Sequence, residues 1–263
     1  MKKNTVSGII AKPKLLFICL LVLTLLPISA YAVPVSLGTA ASFGVLSGST
    51  VTNTGSGSSV ITGNLGVSPG TAITGFFGTV ENDGPGIVNG IIHEGDATAA
   101  LAQSDLTTAY NNLAALPFNT HYLVPTDLGG ATLTAGVYKF DSSAGLTGTL
   151  TLSGPGDFVF QIGSTLTTAG TVLTIDGADA GNVYWAVGSS ATLGTNTAFK
   201  GSILALASIG IDGLGTLDGR ALAKAAVTIS DAETINVPTT VPEPATLCLL
   251  GLGGLAMMRK RRA

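Results

Sequence analysis

The sequence predicts an all-β body wound as a solenoid, with one long helix lying along it. Three observations carry the prediction. Charge is sparse, at 10% of the 263 residues, while glycine is abundant, at 36, and short β-branched runs alternate with Gly, Ser, Asp and Asn turns. The C-terminal half repeats a three-segment unit near 20 residues, the pattern of a β-solenoid coil. A single stretch, 96–116, switches to helical periodicity.

The first element is an address. Lys2, Lys3, Lys12 and Lys14 precede the apolar run LLFICLLVLTLL, and Ala30-Tyr31-Ala32 is a small-x-small cleavage site. Residues 1–32 therefore read as a secretory signal peptide, cut after Ala32. The body that follows, 33–240, is long enough for one domain with a sizeable core. Cys19 and Cys248 both lie outside it, so it holds no disulfide, no thiolate nucleophile and no thiolate metal ligand. The body carries four basic residues, Lys139, Lys200, Arg220 and Lys224, against fourteen acidic ones, a net charge of −10. That balance repels nucleic acid and offers no basic patch to an anionic lipid surface.

Asp96 opens the helix as an N-cap, and Pro117 ends it. Ala99, Ala102, Ala109, Leu106, Leu113 and Leu116 recur by threes and fours, which places them on one face small enough to lie close against a side of the solenoid. Beyond it, strand-like openings stand at Phe158, Val183, Ile203 and Ala221, at intervals of 25, 20 and 18 residues. Each unit has three short strands between turns; a sandwich of hairpins is the competing arrangement, though it would not require a three-segment repeat.

In the second strand of each unit, Leu166, Ala191, Leu193, Ile209, Ile211, Val227 and Ile229 point inward. Alternation then turns outward Thr165 and Thr167, Ser190 and Thr192, Ser208 and Gly210, Ala226 and Thr228. Thr147 is assigned to the same surface from an earlier coil, and Thr50 with Thr52 from the N-terminal part. The resulting face is flat, small, uncharged and stiff at χ1.

Other chemistries have weaker signals. His93, Glu94 and Asp96 cluster at the helix start, where a capped, solvated N-terminus is the ordinary explanation. His121 stands alone, and no G-x-S-x-G elbow is present. The stretches 176–182 (DGADAGN) and 212–219 (DGLGTLDG) bring Asp176, Asp179, Asp212 and Asp218 near glycines, but neither matches a calcium loop and Asp-Gly is common turn chemistry. No catalytic residue, metal site or cofactor is expected. A glycan-binding matrix protein is the main alternative function; aromatics for sugar stacking are scarce, at 6%, and Phe158, Phe160, Tyr184 and Trp185 sit in core-like strands.

Residues 241–263 form the last element. Val241-Pro242-Glu243-Pro244 is a rigid, extended tetrapeptide; Ala245 to Met258 is apolar; Arg259-Lys260-Arg261-Arg262 is a basic stop. The fourteen apolar residues form a short membrane segment beside the about twenty of an ordinary span. The tail resembles the PEP-CTERM sorting signal of exopolysaccharide-producing Gram-negative bacteria. That resemblance implies recognition by an exosortase at Pro242, Glu243 and Pro244, transient inner-membrane anchoring and release to the cell exterior, with exopolysaccharide as a further partner.

The body itself resembles the DUF3494 family of ice-binding proteins. The likeness rests on LGTAASFGVLSGSTVTNTGSGSSVITGNLGVSPG, the helix, GGATLTAGVYKFDSSAGLTGTLTL, FVFQIGSTLTTAG, NVYWAVGSSATLGTNTAFKGSILA and DGRALAKAAVTI, from Leu37 to about Val237. It implies a right-handed, three-faced β-solenoid with a helix packed alongside, and adsorption to ice through the flat face that bears Thr50, Thr52, Thr147, Thr165, Thr167, Ser190, Thr192, Ser208, Ala226 and Thr228. Thr71-Ala72-Ile73-Thr74 and Thr168-Ala169-Gly170-Thr171 match a T-A/G-x-T/N pattern of some active relatives; the sequence alone does not place either on that face.

Overall fold

The computed structural model describes residues 35–55, 57–78 and 83–238. The signal peptide and the sorting segment read from the sequence lie outside these residues. The described body is mostly β with one α-helix, and every strand pairing in it is parallel.

The pairings resolve into three ladders, visited in turn as the chain winds. One is a separate eight-stranded sheet. The other two share long strands such as Thr149–Ile162, Ala198–Ala205 and Thr216–Ala223, which bend from one ladder into the next. In Ala198–Ala205 the bend falls at Gly201, whose φ of +107° suits glycine. Its neighbour in the next coil is Gly219, where a Cβ would lie 1.9 Å from the Gly201 carbonyl oxygen. Stacked bends leave room only for glycine, which accounts for the repeated Lys-Gly-Ser and Asp-Gly-Arg.

The two exterior environments are written in the strands. In the ladder that carries the helix, Phe43–Ser47 and Val183–Val187 are buried at every position, because one side meets the solenoid core and the other the helix. In the eight-stranded sheet, Leu166–Thr168, Ala191–Leu193 and Val227–Ile229 read buried, exposed, buried. The interior is a single apolar column in which Phe160 stacks on Trp185 at 3.9 Å and Tyr122 on Phe140 at 4.6 Å. Trp185 Nε1 donates to the Lys200 carbonyl at 3.0 Å, so burial leaves its one polar atom satisfied.

The helix, α1, spans Ala97–Ala115, with Asp96 accepting from the Ala99 amide at 2.8 Å. Ala99, Ala102, Leu106, Ala109 and Leu113 are buried against Phe43, Leu46, Tyr184, Leu204 and Leu222. Two glutamines fasten it: Gln103 Nε2 donates to the Ala223 carbonyl at 2.9 Å, and Gln161 Nε2 donates to the Leu113 and Leu116 carbonyls at 2.7 and 2.9 Å. The second contact supplies donors to carbonyls that a helix C-terminus leaves open.

Two features differ from the sequence reading. The register sets Trp185, not Val183, opposite Ile203, so the later coils repeat at 18 residues rather than 20 then 18. The preceding 25-residue interval holds a seven-residue excursion, 176–182, that includes a one-turn 3-10 helix at Ala180–Asn182. The N-terminal coils also stack on the C-terminal end: Val51 pairs with Val227 and Val45 with Ala221. Helix α1 then carries the chain back to the far end, where Thr120–Tyr122 begins the remaining coils.

Candidate functional site

The eight-stranded sheet runs, in spatial order, Ala72–Thr74, Thr50–Asn53, Val227–Ile229, Ile209–Ile211, Ala191–Leu193, Leu166–Thr168, Ala144–Leu146 and Thr126–Asp127. Its inward residues include Val51, Ile73, Leu166, Ala191, Leu193, Ile209, Ile211, Val227 and Ile229, all at 2% exposure or less. The core therefore fixes which residues turn outward.

The paired registers align one outward column: Thr74, Thr52, Thr228, Gly210, Thr192, Thr167, Gly145 and Asp127. Seven inter-strand steps of about 4.8 Å make it about 34 Å long. Among the described residues, none of its five threonine hydroxyls has a hydrogen-bond partner in the protein. A neighbouring column, two residues earlier along each strand, holds Thr50, Ala226, Ser208, Ser190, Thr165 and Ser143. Carbonyls of Ala226, Ser208, Ser190 and Thr165 accept from the next coil at 2.9–3.1 Å, which locks this column in register. Its hydroxyls are partly turned to the protein: Thr165 Oγ1 donates to Ser143 Oγ at 3.1 Å, and Ser190 Oγ accepts from the Ser208 amide at 3.3 Å. The sheet thus presents a free hydroxyl row beside a tied one, about 6.7 Å away along the strands.

Nine of the ten residues read from the sequence fall into these two columns. Thr147 lies one step past its strand, and the position equivalent to Thr167 in that coil is Gly145. Asp127 holds Thr147: its carboxylate accepts from the Thr147 hydroxyl and, at 2.9 Å each, from the Thr147 and Gly129 amides. These bonds, that from the Thr147 hydroxyl foremost, keep the Asp127 carboxyl below the usual carboxylate range. Asp127 is the one charge in the free column and stands at its end. Between it and Thr167, over Gly145, lies a shallow depression of about 400 Å³, with Pro125, Thr126 and Ser143 on its walls.

Sequence reasoning missed Thr74, Gly145 and Asp127. Thr74 closes the Thr71-Ala72-Ile73-Thr74 motif, so the signal was present and only its place was not. The second motif divides differently: Thr168 is 1% exposed and points inward, and Thr171 belongs to another ladder.

Several of the rival groups are engaged in structure. Asp96 caps α1 and meets His93 Nδ1 at 2.7 Å; the Ala99 amide and then His93 lower its pKa. Ser153 Oγ donates to Asp176 at 2.7 Å, Asp179 accepts from the Gly181 amide at 2.7 Å, and Asp218 pairs with Lys200 at 3.1 Å. Among the described residues, no three His, Cys, Asp or Glu side chains gather closely enough to hold a metal ion, and no helix is long and apolar enough to cross a membrane. Phe158, Phe160 and Trp185 are fully buried, and Tyr184 lies against α1, so none offers a ring for sugar stacking.

Known proteins share this fold. A family model described as Ice-binding-like matches residues 45–236, and one described as PEP-CTERM protein-sorting motif matches 240–262. An ice-binding protein of Nostoc sp. (strain HG1) is 52% identical over 244 residues, covering 86% of this chain and 87% of that one. The crystal structure of an ice-binding protein from the Antarctic ascomycete Antarctomyces psychrotrophicus superposes with a TM-score of 0.72 at 40% identity, over 78% of this chain and 99% of the other. The DUF3494 domain of Shewanella frigidimarina ice-binding protein 1 gives 0.68 at 30% identity, over 78% and 98%.

Proposed function

The chain belongs to the ice-binding-like family, and from that membership we propose that it is an exported protein that adsorbs to ice through the eight-stranded sheet. One observation carries the choice of face: five threonines stand in a single column, their hydroxyls unclaimed by the protein, over a fully buried apolar row.

The mechanism follows from what that column does to water. A charged surface binds its own tight hydration shell, whereas each threonine offers one hydroxyl to hold a water and one methyl to confine it. Branching at Cβ limits χ1, and the buried partner residues limit the backbone, so the hydroxyl spacing is set before ice arrives. Water held on the column becomes continuous with a growing crystal, and growth stops where the protein sits. Each contact contributes little, so the column acts as an array. The tied column and the two glycine gaps set its width and its breaks.

The three parallel ladders support a right-handed, three-faced coil for the body, 33–240, between a cleaved leader at 1–32 and a sorting segment at 241–263. The PEP-CTERM match supports handling by an exosortase and secretion by a Gram-negative cell. The test is ice-crystal shaping and recrystallisation inhibition by the exported protein. Faceted crystals and slowed coarsening are expected, and Thr167→Tyr or Thr192→Tyr should abolish both while leaving the unfolding free energy within about 0.5 kcal/mol of the parent, as for exposed substitutions. Full activity in a folded Thr192→Tyr variant would remove this face from consideration.

A further inference from the structure

One inward position follows the free column on each strand of the eight-stranded sheet. In register these positions hold Leu146, Thr168, Leu193, Ile211 and Ile229, and then Asn53. Asn53 is 6% exposed, and an amide buried in such a row is costly unless it is bonded. Its Nδ2 donates to the Gly75 carbonyl at 3.0 Å, and its Oδ1 accepts from Ser59 Oγ at 3.0 Å, which fixes the way the amide faces. Ser59 Oγ accepts in turn from the Glu233 amide at 3.3 Å.

Gly75 directly follows Thr74, where the free column ends. The strand Ala72–Thr74 has three residues, and among the described strands it pairs with Thr50–Asn53 alone, so the ladder holds it from one side. Both backbone polar groups of Gly75 are held as well. The Gly86 amide joins Asn53 in donating to its carbonyl, at 3.1 Å, and Asp83 Oδ1 accepts from its amide at 2.5 Å. A φ of +82° and the Asn53 carbonyl oxygen, 2.0 Å from where a Cβ would stand, restrict the position to glycine.

We infer that Asn53 and Asp83 are positioning residues of the proposed ice face: by clamping Gly75 they keep Thr74 in line with Thr52. The inference rests on the ice-binding reading above. A three-residue edge strand opens locally at little cost, and a threonine that leaves the column no longer offers water a fixed site. The other end of the column finishes on Gly145 and Asp127, so the clamp guards the end that finishes in threonine. An aliphatic residue at 53 would continue the row of Ile211 and Ile229 but leave the Gly75 carbonyl to Gly86 alone. The amide is thus explained by its neighbour at the edge and not by the core around it.

The test measures partition of the exported protein into slowly grown ice, beside urea unfolding and amide exchange. Thr74→Ala sets the scale: loss of its γ-methyl should lower the ice fraction about fourfold. Asn53→Leu removes the bond to Gly75 while filling the apolar row, and Asp83→Ala removes the other side of the clamp from an exposed position. Each is expected to lower the ice fraction toward the Thr74→Ala level, with faster exchange at the Gly75 amide, and to lower it no further in a Thr74→Ala background. Asp83→Asn keeps an oxygen for the Gly75 amide and should match the parent. Losses that add to that of Thr74→Ala and follow the urea midpoint would mark a structural role only and overturn the inference. So would folded Asn53→Leu and Asp83→Ala proteins that enter ice as the parent does, with the ice-binding reading left standing. Full partition of Thr74→Ala would also overturn it, because Thr74 would then not touch ice. A parent protein absent from the ice fraction overturns the ice-binding reading and this inference with it.

Discussion

Gly210 interrupts the free column between Thr228 and Thr192, and a Cβ there would meet nothing within 4 Å. It lies in an ordinary strand, Ile209–Ile211, so a β-branched residue fits its backbone. Gly210→Thr would join the runs Thr74-Thr52-Thr228 and Thr192-Thr167 into six consecutive threonines spanning about 24 Å. Two gains follow. Replacing glycine within a strand should stabilise the fold by roughly 0.5–1 kcal/mol. If the ice front withdraws the new γ-methyl from bulk water as burial would, adsorption improves by about 0.8 kcal/mol, or about fourfold. Partition of the variant into slowly grown ice, beside a urea unfolding curve, measures both. Gly210→Ala, which adds neither γ-methyl nor hydroxyl, should share most of the stability gain and little of the ice gain. A Gly210→Thr protein at least as stable as its parent but no richer in the ice fraction would refute the idea that an unbroken column is what ice reads.

Thr168 buries a hydroxyl without a partner in the described protein, so Thr168→Val should raise stability by about 1 kcal/mol in urea unfolding with ice activity unchanged. Gln161→Leu removes both donors to the end of α1 and should cost about 2 kcal/mol, with amide exchange accelerated first in the last turn of the helix. Glu233 is 2% exposed, and burial raises its pKa to about 7 despite the bond it accepts from the Gly215 amide. The unfolded chain therefore ionises this group at lower pH than the folded one, and stability should fall as pH rises from the ordinary carboxylate range to about 7 and level off above it. Melting points across that range should trace the fall, and Glu233→Gln should flatten it.

Much of this was legible in the chain because the signals were local. Asp96, Pro117 and the three-four spacing of Ala99 to Leu113 specify a capped helix without reference to anything else. Ala-Thr-Leu, Ile-Gly-Ile and Val-Thr-Ile specify a strand with one wet side. What escaped depended on register between distant segments. Strand Ala198–Ala205 runs on through the bend at Gly201, so counting from the apolar run after that glycine aligned Val183 with Ile203 where backbone bonding aligns Trp185. Nothing near Thr147 says that the neighbouring coil will offer it a carboxylate in place of a seat in the column. Thr168 shows the limit of composition: it has the chemistry of the face and the location of the core, because position along the pleat outranks residue type.

The stacking of residue 51 on residue 227 has a bearing on how the molecule is made. Thr54 bonds to the Ile229 carbonyl across 175 positions of sequence. As the chain leaves the ribosome or the export channel, its first coils can pair with one another but have no neighbour on their other side until its last coil arrives, and closing so long a loop is slow. The early strands must wait with their edges open, the condition in which chains aggregate. Release of a nearly complete polypeptide is then a prerequisite for joining the N-terminal coils to the rest of the solenoid. A rearranged gene that begins at residue 117, joins residue 238 to residue 35 through a short linker and ends with the helix would let the coils form in the order in which they stack. It should refold faster than the natural order at equal stability.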